Sequence, residues 1–174
     1  MKGLVKAIGA VLIIASGIGI GLGGAAELRR RVRILTDLIA SLMTVKAEIT
    51  VRMTPLPELL EGLGRLAPLS VRGFYGRVAQ SVQFLGECSF AELWLHAIEK
   101  SEELGLKVDE LRELIALGTS LGRYGVAEQA AAIDLCISRL NAMLELAREE
   151  ALTSGKLFIG LSAAGGIVAA VILI

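Results

Sequence analysis

Apolar residues fall along this chain in two different patterns. Ala7 to Ala26 is a run of twenty residues without a charge, and Leu157 to Ile174 is a run of eighteen that reaches the last residue. At about 1.5 Å per helical residue these runs are roughly 30 Å and 27 Å long, the thickness of a bilayer's hydrocarbon core. Each is therefore expected to cross a membrane once. Two spans put both termini on one face and residues 27–156 on the other. Between the spans the pattern becomes isolated apolar positions three or four apart, the spacing of amphipathic helices.

Six stripes of this kind can be followed. Leu28, Val32, Leu35, Ile39, Leu42, Val45 and Ile49 form the first, continuous with the N-terminal span. Thr54 before Pro55 predicts an N-cap with proline at the first helical position, opening a second helix with Leu56, Leu59, Leu60 and Leu63 inward. A third is expected from Leu69 to Leu85, burying Val71, Phe74, Val78 and Val82 and closed by Gly86. Ser89 and Glu92 have capping-box spacing and open a fourth, carrying Phe90, Leu93, Trp94 and Ala97 and stopped by Gly105. The fifth starts near Val108, uses Leu111, Leu114, Ile115 and Leu121, and is broken by Gly122 and Gly125. The sixth runs from Val126 through Ala130, Ile133, Ile137, Leu140, Leu144, Ala147 and Ala151 into the second span. No alternating strand pattern or hairpin dipeptide interrupts this series. The expected fold is all-α, a six-helix antiparallel bundle over 27–156 flanked by transmembrane anchors at 1–26 and 157–174. Because the first and last helices run on into the spans, the bundle is expected to be docked on the membrane, not tethered to it.

Composition bears on orientation and partners. Residues 27–156 hold 16 of the 18 basic and all 18 acidic side chains, an ordinary soluble composition of one domain's size. Four arginines, Arg29, Arg30, Arg31 and Arg33, follow the first span at once, the arrangement of a cytoplasmic flank that meets lipid headgroups. Lys2 and Lys6 compete from the other side, but the stronger cluster places the middle of the chain in the cytoplasm. Residues 7–26 are long for the apolar core of a cleaved signal, and the arginines favour an uncleaved anchor. Inside the spans, Gly17 with Gly21, Gly19 with Gly23, and Ser162 with Gly166 repeat small residues at four-residue spacing, candidates for close helix packing. Beyond Gly86 the balance turns acidic, seven basic against thirteen acidic residues. Glu99, Glu102, Glu103, Asp109 and Glu110 gather around one turn, candidates for a solvated surface that meets a partner.

The chemistry-bearing residues are sparse. One histidine, His96, cannot assemble a two-histidine metal site or a Ser-His-Asp triad, and no glycine run leads to Lys-Ser or Lys-Thr for phosphate binding. Cys88 and Cys136 are far apart without CxxC pairing, and are expected to be reduced, partly buried thiols. No basic stripe interleaved with aromatics suggests nucleic acid. Catalysis, a metal and a cofactor are therefore not expected. The spans contain only Ser16 and Ser162 as hydroxyls and no ionisable group, poor lining for a conducting pore.

Three strings carry a resemblance: Lys46-Ala47-Glu48-Ile49 with Met53-Thr54-Pro55-Leu56-Pro57-Glu58-Leu59-Leu60; Leu117-Gly118-Thr119-Ser120-Leu121-Gly122 followed by Gln129; and Leu140 to Glu150 leading through Lys156 into the terminal apolar run. In this order, over essentially the whole length, the chain resembles the stage III sporulation protein AB family. It departs at Tyr124 and Gly125, where the family usually shows polar or acidic residues. The resemblance implies membership of the multiprotein, channel-like complex that joins mother cell and forespore during endospore formation. It also implies a helical domain similar to the cytoplasmic domains of the type II secretion and type IV pilus platform protein. The implied role is a non-enzymatic platform in the mother-cell membrane facing the forespore. Its partners would be the complex's other membrane subunits and its ATPase, stage III sporulation protein AA; self-association stays open. Two alternatives remain at this stage, a platform subunit of a true secretion or pilus system, and a small channel-forming transport subunit.

Overall fold

Helix boundaries follow the punctuation of the sequence closely. A computed structural model describes the backbone of residues 2–123 and 125–173 and the side chains of residues 23–123 and 125–153. The helices are α1 (Lys2–Ala47), α2 (Leu56–Leu66), α3 (Leu69–Ser81), α4 (Phe90–Glu99), α5 (Val108–Ser120) and α6 (Val126–Leu173). A short π-helical segment, Glu48–Arg52, continues α1, and single 3-10 turns occupy Val82–Phe84 and Glu102–Leu104. Six α-helices and no strand are found among the described residues. Among them, too, no helix is long and apolar enough to cross a membrane. The two runs read as spans, except for residues 23–26, lie outside the described side chains.

Contacts divide the chain into two units, one made of Met1–Val32 with Leu146–Ile174 and the other of Arg33–Glu145. In the second unit α2 packs on α3, α3 on α4 and α4 on α5. Its core holds Leu35, Leu38, Leu42, Leu60, Phe74, Tyr75, Trp94, Leu114, Ile133 and Leu140, all essentially without solvent contact. Phe74 meets Tyr75 at 5.0 Å and Trp94 edge-on at 4.9 Å between ring centroids, and Phe90 lies 5.7 Å from Trp94. Ion pairs at the surface tie the helices: Lys46 to Asp134 between α1 and α6 at 2.6 Å, and Arg139 to Glu113 between α6 and α5 at 2.9 Å. In the first unit, Arg31 of α1 donates to Glu150 of α6 at 2.9 Å.

The fourth helix starts as expected. The Ser89 hydroxyl accepts from Glu92 N–H at 3.3 Å and the Glu92 carboxylate accepts from Ser89 N–H at 2.8 Å, which satisfies two donors that a helix N-terminus leaves free. Those bonds hold the Glu92 carboxyl below its ordinary range.

Three boundaries differ from the sequence reading. Thr54 does not cap α2. Pro55 and Pro57 remove N–H groups from its start, leaving little for a capping oxygen to accept, and the Thr54 hydroxyl turns back to the Glu48 carboxylate at 2.8 Å. Residues 82–84 tighten into a 3-10 turn before Gly86, which has φ of 114°. Gly105, with φ of 52°, closes Glu102–Leu104 and not α4, which has already ended where Lys100 N–H bonds the His96 carbonyl.

Candidate interaction surfaces

The helices alternate in direction, so the turns after α1, α3 and α5 share one end of the Arg33–Glu145 bundle. Gly122 shows them meeting: with φ of 74°, it brings the chain to where a Cβ would lie 3.5 Å from both Leu56 of α2 and Phe90 of α4. Around this end Val51 and Met53 are 79% and 76% exposed, and Phe84, Leu85 and Val126 are also open to solvent.

The turn carrying Val51 and Met53 is built around Glu48. One carboxylate oxygen accepts from Arg52 Nη1 at 2.8 Å and the other from Thr54 Oγ1 at 2.8 Å. The Glu48 carbonyl accepts from the N–H groups of Met53 and, at 3.1 Å, Thr54. These bonds hold Met53 at φ 52°, ψ 32°, a left-handed conformation that costs a side-chain-bearing residue about 1–2 kcal/mol. Backbone strain and π-helical turns of this kind are enriched at functional sites. Met53→Gly is expected to stabilise the fold by about 1 kcal/mol, because the exposed side chain contributes nothing to the core. A urea midpoint below that of the unchanged protein would show that the Met53 backbone carries no strain.

At the opposite end, all the acidic candidates but Glu110 are exposed, two of them paired with arginines. Glu99 and Glu102 are exposed. Glu103 is paired with Arg77, and Asp109 with Arg112 at 3.0 Å. Glu110 is corrected outright. It is 1% exposed, and from the first turn of α5 its carboxylate accepts Lys107 N–H at 2.7 Å. Helix capping, not solvation, places it.

Among the arginines, Arg29, Arg30 and Arg33 are exposed, with Arg30 beside Glu27 at 3.3 Å. Arg31 is buried, with its guanidinium paired to Glu150. Gly23 is exposed, and a Cβ there would meet no described atom within 4 Å. Gly17, Gly19, Gly21, Ser162 and Gly166 lie outside the described side chains.

The thiols separate. Cys88, in the turn before α4, is exposed, contrary to expectation; Cys136 is buried and directs its S–H toward the Glu113 carbonyl at 3.8 Å. Burial, then the Glu113 carboxylate, push the Cys136 thiol up to about 12, with Arg139 opposing. The folded protein thus resists losing this proton while the unfolded chain releases it near 9.0, so the contribution is neutral below pH 9 and destabilising as pH rises toward 12. At pH 8 a maleimide is expected to modify Cys88 promptly and Cys136 only after unfolding, read by mass spectrometry. Equal rates at both would contradict the buried position. Among the described residues no three His, Cys, Asp or Glu side chains gather to hold a metal.

The fold defines an all-helical protein whose surface interest lies in the two ends of its bundle. The family model for stage III sporulation protein AB matches residues 6–174, and the chain belongs to that family, a sporulation-related one. A solved structure described as stage III sporulation protein AB has a TM-score of 0.65 and 24% identity, covering 71% of this chain and 97% of that one. That likeness speaks for the fold. No curated protein matches the chain at a significant level.

Proposed function

We propose that this protein is a non-enzymatic platform subunit of the complex that links mother cell and forespore. Its apolar ends hold it in the mother-cell membrane, and the bundle lies on the cytoplasmic side. There it couples a cytoplasmic ATPase, stage III sporulation protein AA, to the membrane subunits. Family membership supports the sporulation setting. The observation that carries the platform reading is the preformed Glu48–Thr54 turn, which displays Val51 and Met53 at the end of the bundle opposite to where α1 enters and α6 leaves. Interfaces concentrate their energy in a few exposed apolar anchors held by a rigid scaffold, and methionine is among the enriched residues.

The test is copurification of the full chain with the ATPase from sporulating cells, comparing the unchanged protein with Val51→Asp/Met53→Asp. Both side chains are exposed, so folding is expected to survive, while recovery of the ATPase falls at least tenfold and development stops after engulfment. Undiminished recovery would remove this turn from the interface. Normal spores from cells lacking the whole gene would remove the sporulation role itself.

A further inference from the structure

Among the described residues, the highest exposures of large apolar side chains are not on the Val51 turn but at the corner between α2 and α3, where Leu66 is 83% and Leu69 82% exposed. We propose that this corner is a second membrane contact, a docking point on the surface of an anionic bilayer; the inference rests on the reading that the apolar ends anchor the chain.

The corner is rigid. Ala67 is buried and donates its N–H to the Leu63 carbonyl at 2.9 Å, while its own carbonyl accepts from Arg72 Nε at 2.9 Å. Val71 and Arg72 N–H both reach the Pro68 carbonyl. The two leucines are thereby fixed outward, where they add nothing to the core. Exposed arginines bracket them in the sequence Arg65-Leu66-Ala67-Pro68-Leu69-Ser70-Val71-Arg72. An apolar tip between cations fits a bilayer interface, with the leucines entering below the headgroups and the guanidinium groups meeting phosphate.

Charge favours an anionic lipid surface as the occupant, since Arg65 and Arg72 flank the two leucines and both are exposed. Ser70 Oγ donates to Asp37 Oδ2 at 2.5 Å, which pins the start of α3 beside α1. Two carboxylates near this corner are already engaged, Asp37 by Ser70 and Glu103 by Arg77. Glu103 reaches Gly73 and Arg77, one to two turns further along α3 than Leu69.

The full chain, carrying Cys88→Ser and either Leu69→Cys or Val51→Cys, is labelled with an environment-sensitive fluorophore and reconstituted into vesicles of phosphatidylcholine with or without phosphatidylglycerol. Lipids spin-labelled near the headgroup are expected to quench the Leu69 label several-fold more than the Val51 label. The difference should grow with phosphatidylglycerol and shrink in Arg65→Glu. Equal quenching at both positions, in protein that resists carbonate extraction, overturns the docking point and leaves the anchors standing. A Leu69 label shielded from aqueous iodide but untouched by spin-labelled lipid overturns it in favour of a protein occupant. Carbonate extraction of the whole chain overturns the anchoring reading, and the docking point falls with it.

Discussion

Trp94→Ala is expected to be the most damaging single substitution in the bundle, lowering stability by about 3–5 kcal/mol, the range for emptying a buried aromatic site. Trp94 is 1% exposed and touches Phe74 and Phe90 through its ring faces and edge. Its indole N–H donates to the Leu114 carbonyl at 2.8 Å, which ties α4 to α5 at a point where water cannot substitute. For a domain of this size that loss is a large part of the total stability. Trp94→Phe keeps most of the volume and loses the hydrogen bond, so it is expected to cost much less, about 1–2 kcal/mol. Thermal unfolding of the full chain in detergent, followed by far-UV circular dichroism, compares the three. Indistinguishable melting of Trp94→Ala and Trp94→Phe would mean that the indole site relaxes and is not a packed core.

Gly118→Ala is the second, and its sign is the informative part. Glycine inside an exposed helix costs roughly 1 kcal/mol relative to alanine, so helix propensity by itself predicts that this change stabilises α5. Packing predicts the opposite. A Cβ on Gly118 would fall inside the indole of Trp94, 2.6 Å from Cγ and 2.9 Å from Nε1, and the buried ring has nowhere to move. Overpacking of this kind costs about 1–3 kcal/mol or more, and displacing the ring also strains its bond to Leu114. The expected net result is a loss of about 2 kcal/mol. Because Trp94 is the only tryptophan, its fluorescence reports the disturbance directly as a red shift and an earlier urea midpoint. Adding Trp94→Phe should return part of the loss, since neighbours that compete for one space are not additive. A more stable Gly118→Ala protein would show that the two helices can separate at little cost.

The burial of Glu110 among its exposed acidic neighbours shows how sequence reading goes astray. Glu99, Glu102, Glu103, Asp109 and Glu110 are neighbours in the chain, yet Glu110 turns inward to cap α5 and Glu103 and Asp109 are bound to arginines. Proximity in sequence gives composition, while the helix start decides which way each carboxylate points. The exposed leucines at positions 66 and 69 were just as visible as letters. The sequence reading assigned neither to a buried face, and only the corner geometry shows how far outward they are held. Tyr75 was missed for a related reason. It follows Phe74, off the single stripe, but α3 packs against both α2 and α4 and so buries a wider face, where burial raises the Tyr75 hydroxyl above its ordinary range.

What the sequence determined alone was the helical class, the capping box at Ser89, most inward positions and the family, because these depend on spacing and on residues within a few positions of one another. The tertiary structure decided the rest: that Gly118 must be glycine under Trp94, that Thr54 serves Glu48 and not α2, that Arg31 meets Glu150, and which turns share an end of the bundle. Each of these depends on distances between segments remote in the chain, and a one-dimensional pattern holds no information about which remote side chain will occupy the same space.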